Sequence, residues 1–150
     1  MANEVEWTYM SSVALETDGA QIVNAALASA PDASMTSGNH GNWPLCDLVL
    51  YVAGFGSALA GWQVINVYRC DMDLLGGTID SIVPSAAFKQ LYVGSFPLQQ
   101  SMATNSTGYI PLPDVPLSSS CYFYLENTTA QTLSTGWGVW CRPKSYIPGA

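Results

Sequence analysis

The stretch Cys121–Pro143, CYFYLENTTAQTLSTGWGVWCRP, decides the fold. Its 23 residues hold two Tyr, one Phe, two Trp and two Cys, but one acid and one base. Cys121, Phe123 and Leu125 recur at a spacing of two, and so do Trp137, Val139 and Cys141. That period is the one at which a strand turns successive side chains to the same face. Aromatic and β-branched residues at this spacing suit the pleated interior of a β-sandwich. The stretch therefore reads as a pair of core strands, Cys121–Glu126 and Trp137–Arg142. It carries too little charge for a charge-lined active site or a nucleic-acid groove.

Outward from this segment, short apolar runs alternate with turn residues along the chain, and nine Pro and thirteen Gly interrupt it. This is an all-β pattern. Leu45–Ala53, LCDLVLYVA, is apolar at both parities and reads as a central strand covered on both sides. Trp62–Cys70 and Phe88–Leu98 are further strands, the second interrupted at Gly94 or Pro97. Gly108–Leu117, GYIPLPDVPL, is extended but has three prolines in six residues, so it is not a central strand. Asp18-Gly19 is a two-residue hairpin signal between Ser12–Thr17 and Ala20–Leu27. The second of these runs also fits a helical face capped by Asp18, and strand is preferred. Ser29–Pro44 and Asp71–Asp80 read as loops. The expected architecture is all-β: a single-domain antiparallel β-sandwich over residues 1–150, with an N-terminal arm (1–10) and a C-terminal tail (144–150).

Charged residues are 10% of the chain, against about 25% in an ordinary soluble domain, while hydrophobic residues are 49%. Much of the surface is then amide, hydroxyl and apolar, as suits a protein partly covered by neighbours. The net charge of −7, with only Arg69, Lys89, Arg142 and Lys144 as bases, opposes nucleic acid and anionic membranes alike. The opening MANEVEWTYM has acids where a basic n-region would stand, and no apolar run follows it, so the chain reads as made in a cytoplasm and kept soluble. In that compartment Cys46, Cys70, Cys121 and Cys141 are expected to be buried thiols.

Catalytic and metal patterns are sparse. The one histidine, His40, sits in a Gly/Asn loop and reads as a solvated side chain. Asp71, Asp73 and Gly76 fit three positions of an EF-hand loop. Leu75 and Ile82 stand where oxygen ligands are needed. A looser calcium site from Asp71, Asp73 and Asp80 is the alternative to a plain hairpin loop; no metal or cofactor is expected. Five tryptophans (Trp7, Trp43, Trp62, Trp137, Trp140) keep a sugar-stacking role open, with Trp137 assigned to the core. Asn105-Ser106-Thr107 and Asn127-Thr128-Thr129 match the glycosylation acceptor pattern by coincidence.

One set of features resembles the small β-sandwich head decoration, or cement, proteins of tailed bacteriophages. It comprises Trp7 near the start, then Asp47-Leu48-Val49-Leu50, then Val64-Ile65-Asn66-Val67-Tyr68 running into an acidic loop. Val93-Gly94-Ser95-Phe96-Pro97-Leu98, Phe123–Thr129 and Gly136–Trp140 complete it. The cysteine placement and the Pro-rich Ile110–Leu117 are not part of that pattern. The resemblance implies a jelly-roll-like sandwich with no cofactor and no catalytic residues. It also implies partners in the major capsid protein and in copies of itself, as a trimer, at the capsid surface of a virion assembled in the host cytoplasm. The alternatives are a tail, baseplate or fibre module, and a carbohydrate-binding module using exposed aromatics. The ends of the chain are the expected contact residues: Trp7, Tyr9 and Met10 on the arm, Tyr146 and Ile147 on the tail. Aromatic anchors bury much area with few rotatable bonds.

Overall fold

The computed structural model of the chain describes residues 6–27, 34–72, 84–85, 87, 89, 91–98 and 102–147. Its strands are β1 (Glu6–Tyr9), β2 (Val13–Gly19), β3 (Met35–Thr36), β4 (Leu45–Val52), β5 (Gln63–Asp71), β6 (Tyr92–Leu98), β7 (Gly108–Pro116), β8 (Ser120–Asn127) and β9 (Trp137–Ile147). One helical turn, α1 (Ser37–His40), follows β3.

The pairing is nested. β1 and β2 pair with β9, β3 with β8, β4 with β7 and β5 with β6, all antiparallel. A chain paired first-with-last toward its middle is one long hairpin. Rolled up, it gives two sheets in the order β1-β9-β4-β7, with β2 also on β9, and β3-β8-β5-β6. This double-sheet arrangement is the jelly roll.

The two halves of Cys121–Pro143 consequently do not pair with each other. β8 lies in the four-stranded sheet and β9 in the five-stranded one. Phe123 and Leu125 point inward from the first, Trp137 and Val139 from the second, and they belong to the same core. Leu48, Leu50, Ile65, Val67, Phe96 and Leu98 complete its centre, all inaccessible to solvent. Truncating a side chain of this kind, such as Phe96→Ala, costs about 3–5 kcal/mol. All four cysteines are buried thiols.

β4 is central, between β9 and β7. Its inner residues are fully buried, whereas Asp47, Val49 and Tyr51 on the other side are only half-buried, so the expected cover on both faces is not found. β6, with Pro97, and β7, with Pro111, Pro113 and Pro116, are sheet edges, where a missing N–H is tolerated. The interruption expected near Gly94 is a bulge, with Val67 opposite Gly94 but Tyr68 opposite Tyr92.

The hairpin at Asp18-Gly19 is not formed. Gly19 pairs with Trp137 on β9, and a Cβ there would lie 2.1 Å from the Trp137 ring. The glycine makes room for the indole, whose Nε1 donates to the Ala20 carbonyl at 2.7 Å. Residues 20–27 are neither strand nor helix; single bridges join Ile22 to Leu133 and Leu27 to Glu126. Asn127 stitches this segment down, donating from Nδ2 to the Ile22 and Gln131 carbonyls at 2.8 and 2.7 Å. His40 is buried, contrary to its reading as a solvated loop residue, with Nε2 3.1 Å from the Ser119 carbonyl. Of the acidic loop, Asp71 ends β5 in an ion pair with Arg69 at 2.6 Å. Asp73, Leu75, Gly76, Asp80 and Ile82 lie outside the described residues.

Candidate binding surface on the five-stranded sheet

β9 sends Trp137, Val139 and Cys141 into the core, so its alternate residues Trp140, Arg142, Lys144 and Tyr146 face outward. The strand continues to Ile147, and the expected free tail is instead the rung on which β1 is laid. Trp7 stands opposite Tyr146, Tyr9 opposite Lys144, and Glu6 opposite Ile147. The two ends expected to be separate arms are thus one patch. The Trp7 and Tyr146 rings meet edge to face with centroids 6.4 Å apart. The Arg142 guanidinium lies 4.3 Å from the centre of the Tyr9 ring, and Lys144 Nζ is 4.8 Å from that of Trp7. Trp7 is 42% exposed and Tyr146 54%. Met10 is half-buried against Gly41.

Lys144 is buried beneath Trp7 and held by two carboxylates, Asp47 at 2.5 Å and Asp114 at 2.7 Å. Burial alone would lower its pKa; the bonds to Asp114 and Asp47 outweigh it and raise the value above that of a free lysine. The cation therefore keeps its charge while fixing β9 to β4 and β7.

The other end of the same face is aromatic without the cations. Tyr109 is 69% exposed. Its ring leans on Tyr51, centroids 5.1 Å apart, and on Trp140 at 6.2 Å. Beside it opens a cleft of about 600 Å³ lined by Trp62, Met102, Ser106, Thr107, Tyr109 and Pro111. Trp62, just ahead of β5, is 77% exposed. A second hollow of about 460 Å³ shares Pro111 and continues past Trp140 to Asp47, Arg142 and Ser12.

The opposite sheet carries a polar cluster on its outer side. Glu126 is buried, accepts from Asn66 Nδ2 at 3.0 Å and Tyr68 Oη at 2.8 Å, and is paired with Lys89. Burial pushes its pKa up, but the donors Asn66, Lys89 and Tyr68 prevail and hold the carboxyl below its ordinary value. Both oxygens are occupied, so the group is an ionised acceptor that holds β5 to β8. The sequence reading singled out neither this residue nor Lys144, and nothing in the local pattern marks them. Among the described residues no cluster of His, Cys, Asp and Glu is arranged to hold a metal ion, and no helix is long and apolar enough to cross a membrane.

Of the five tryptophans, Trp137 is in the core, Trp43 and Trp140 are half-buried, and Trp7 and Trp62 are exposed. Asn127 of the second acceptor pattern is fully buried and spent on backbone hydrogen bonds. No protein-family model matches the chain, and no curated protein matches it. Among solved structures it is similar to "Carbohydrate-Binding Module CBM36 in complex with calcium and xylotriose", at a TM-score of 0.45 and 12% identity over 91% of this chain and 100% of that one. A likeness at that level carries no argument about what this chain binds.

Proposed function

We propose that the chain is a non-enzymatic structural protein of a bacteriophage virion that decorates and stabilises the capsid. Its contact surface is the patch of Trp7, Tyr9, Arg142 and Tyr146. One observation carries this reading: the two chain ends are zipped into a single exposed array of aromatic rings, each braced by a neighbour. Rings held in place before binding lose little entropy on being covered, and Trp, Tyr and Arg are the residues on which interface energy concentrates. The scarcity of charge elsewhere suits a surface shared with neighbouring subunits, whether the major capsid protein or further copies in a trimer. Binding to the assembled shell and not to its free subunits stabilises the shell by mass action.

The test is decoration of purified heads stripped of the protein. Wild type should rebind, and the triple variant W7A/Y9A/Y146A, folded by circular dichroism, should not. Equal occupancy by both would refute the assignment of the surface. Binding to tails and not to heads would favour the tail or baseplate alternative.

A further inference from the structure

We propose that the groove between Trp62, Tyr109 and Trp140 is a binding site for a neutral oligosaccharide whose pyranose rings carry mostly equatorial hydroxyls. The cleft at Trp62 and Tyr109 shares no lining residue with the terminal patch, although its continuation reaches Arg142, and the proposal does not depend on the capsid reading. The cleft of about 600 Å³ falls in the range of small-ligand sites, about 300–1,000 Å³. Trp62 and Tyr109 are the two most exposed large apolar side chains among the described residues, and both border it. Tyr109 is held from behind. Tyr109 rests on Tyr51 and Trp140. The backbone before Trp62 is set by Gly61, which bends the chain at a φ of 84°, and by the Gln63 side chain, which donates to the Ala60 carbonyl at 2.9 Å.

The chemistry of the lining selects the ligand. Ser106 and Thr107 line the same cleft, and the continuation past Pro111 ends at Asp47 and Arg142. Ring faces followed by hydroxyls and one donor–acceptor pair match a sugar, which presents C–H faces and hydroxyl edges by turns. A nucleic acid is opposed by the net charge of −7. A peptide adding itself to the sheet would need the β7 edge, and Pro111, Pro113 and Pro116 remove N–H groups from that edge. A neutral ligand recognised by side chains and ring faces is what remains.

The experiment titrates cellohexaose and chitohexaose into the purified chain, with intrinsic tryptophan fluorescence and isothermal calorimetry as readouts and decaproline as the competing ligand. Wild type should bind at least one hexasaccharide at millimolar concentration or better. W62A and Y109A should each weaken that binding at least tenfold. V23S, at an exposed site off the groove, should bind as wild type. Thermal melting should be unchanged in W62A, whose side chain is exposed. Absence of binding to both sugars, binding undiminished in both groove variants, or binding of decaproline in their place would overturn the proposal.

Discussion

Trp7 stands directly across from Tyr146 in the β1–β9 ladder, and the same indole covers the ammonium of Lys144. One aromatic residue near the start of the chain thus closes a site built near its end. Edge-to-face pairs contribute about 0.5–1.5 kcal/mol beyond the area they bury. A double-mutant cycle on W7A and Y146A, read by urea denaturation, should return a coupling in that range. A coupling of zero would mean that the rings are merely neighbours. Deleting residues 1–10 should also speed hydrogen exchange at 144–147, where β9 has lost its partner.

Gly19→Ala should destabilise the fold by about 1–3 kcal/mol, the range for overpacking a filled site. The added methyl would overlap the Trp137 ring. Near-ultraviolet circular dichroism should report the displaced indole. An unchanged melting temperature would contradict the packing described.

The Glu126 cluster predicts a plateau of stability with falling edges. The folded-state pKa of Glu126 is depressed, so its contribution is complete above the unfolded value of about 4.3 and is lost as pH falls through the folded one. Tyr68 is pushed up to about 12, by burial first and then by its bond to Glu126. Its contribution is complete below the unfolded value of about 10 and is lost as pH rises through the folded one. Glu126→Gln should cost about 1.5–3 kcal/mol at pH 7, the range for hydrogen bonds to a charged group. That cost should shrink as the acid limb is descended. A pH-independent difference would show that the carboxylate's charge is not what holds β5 to β8.

The thiols should be inert in the folded chain. Cys141 beside it, together with burial, pushes the Cys46 thiol up, and burial does the same to Cys121. Since the thiolate is the reactive form, iodoacetamide should label none of the four within the folded lifetime. Under denaturing, non-reducing conditions it should add four labels by intact mass. Two or none would reveal a disulfide.

The strands were legible because burial on one face imposes period two, and Phe123, Leu125, Trp137 and Val139 show it plainly. Their partners were not legible. Cys121–Glu126 and Trp137–Arg142 are close in sequence, yet the jelly roll places them in opposite sheets, since each finds its neighbours from distant parts of the chain. Gly19 looked like a turn because the indole that needs its bare Cα comes more than a hundred residues later. The last four residues of β9 looked like a tail because Pro143 and Lys144 break the apolar alternation. Asp47, 97 residues away, is what lets Lys144 be buried. The sequence marks the terminal aromatics as candidate anchors, but nothing in it pairs Trp7 with Tyr146. Tyr109 carries no such mark in the sequence, because its exposure comes from a place at the sheet edge that no local pattern encodes.

The proposed capsid role is tested most directly by the copy number of this chain in purified virus particles, by quantitative mass spectrometry against the major capsid protein. A decoration protein that follows the shell's symmetry should be present on the order of hundreds per head, and should be lost from heads under mild denaturant while tails stay intact. A handful of copies that remain with the tails, or none at all, would contradict the proposal.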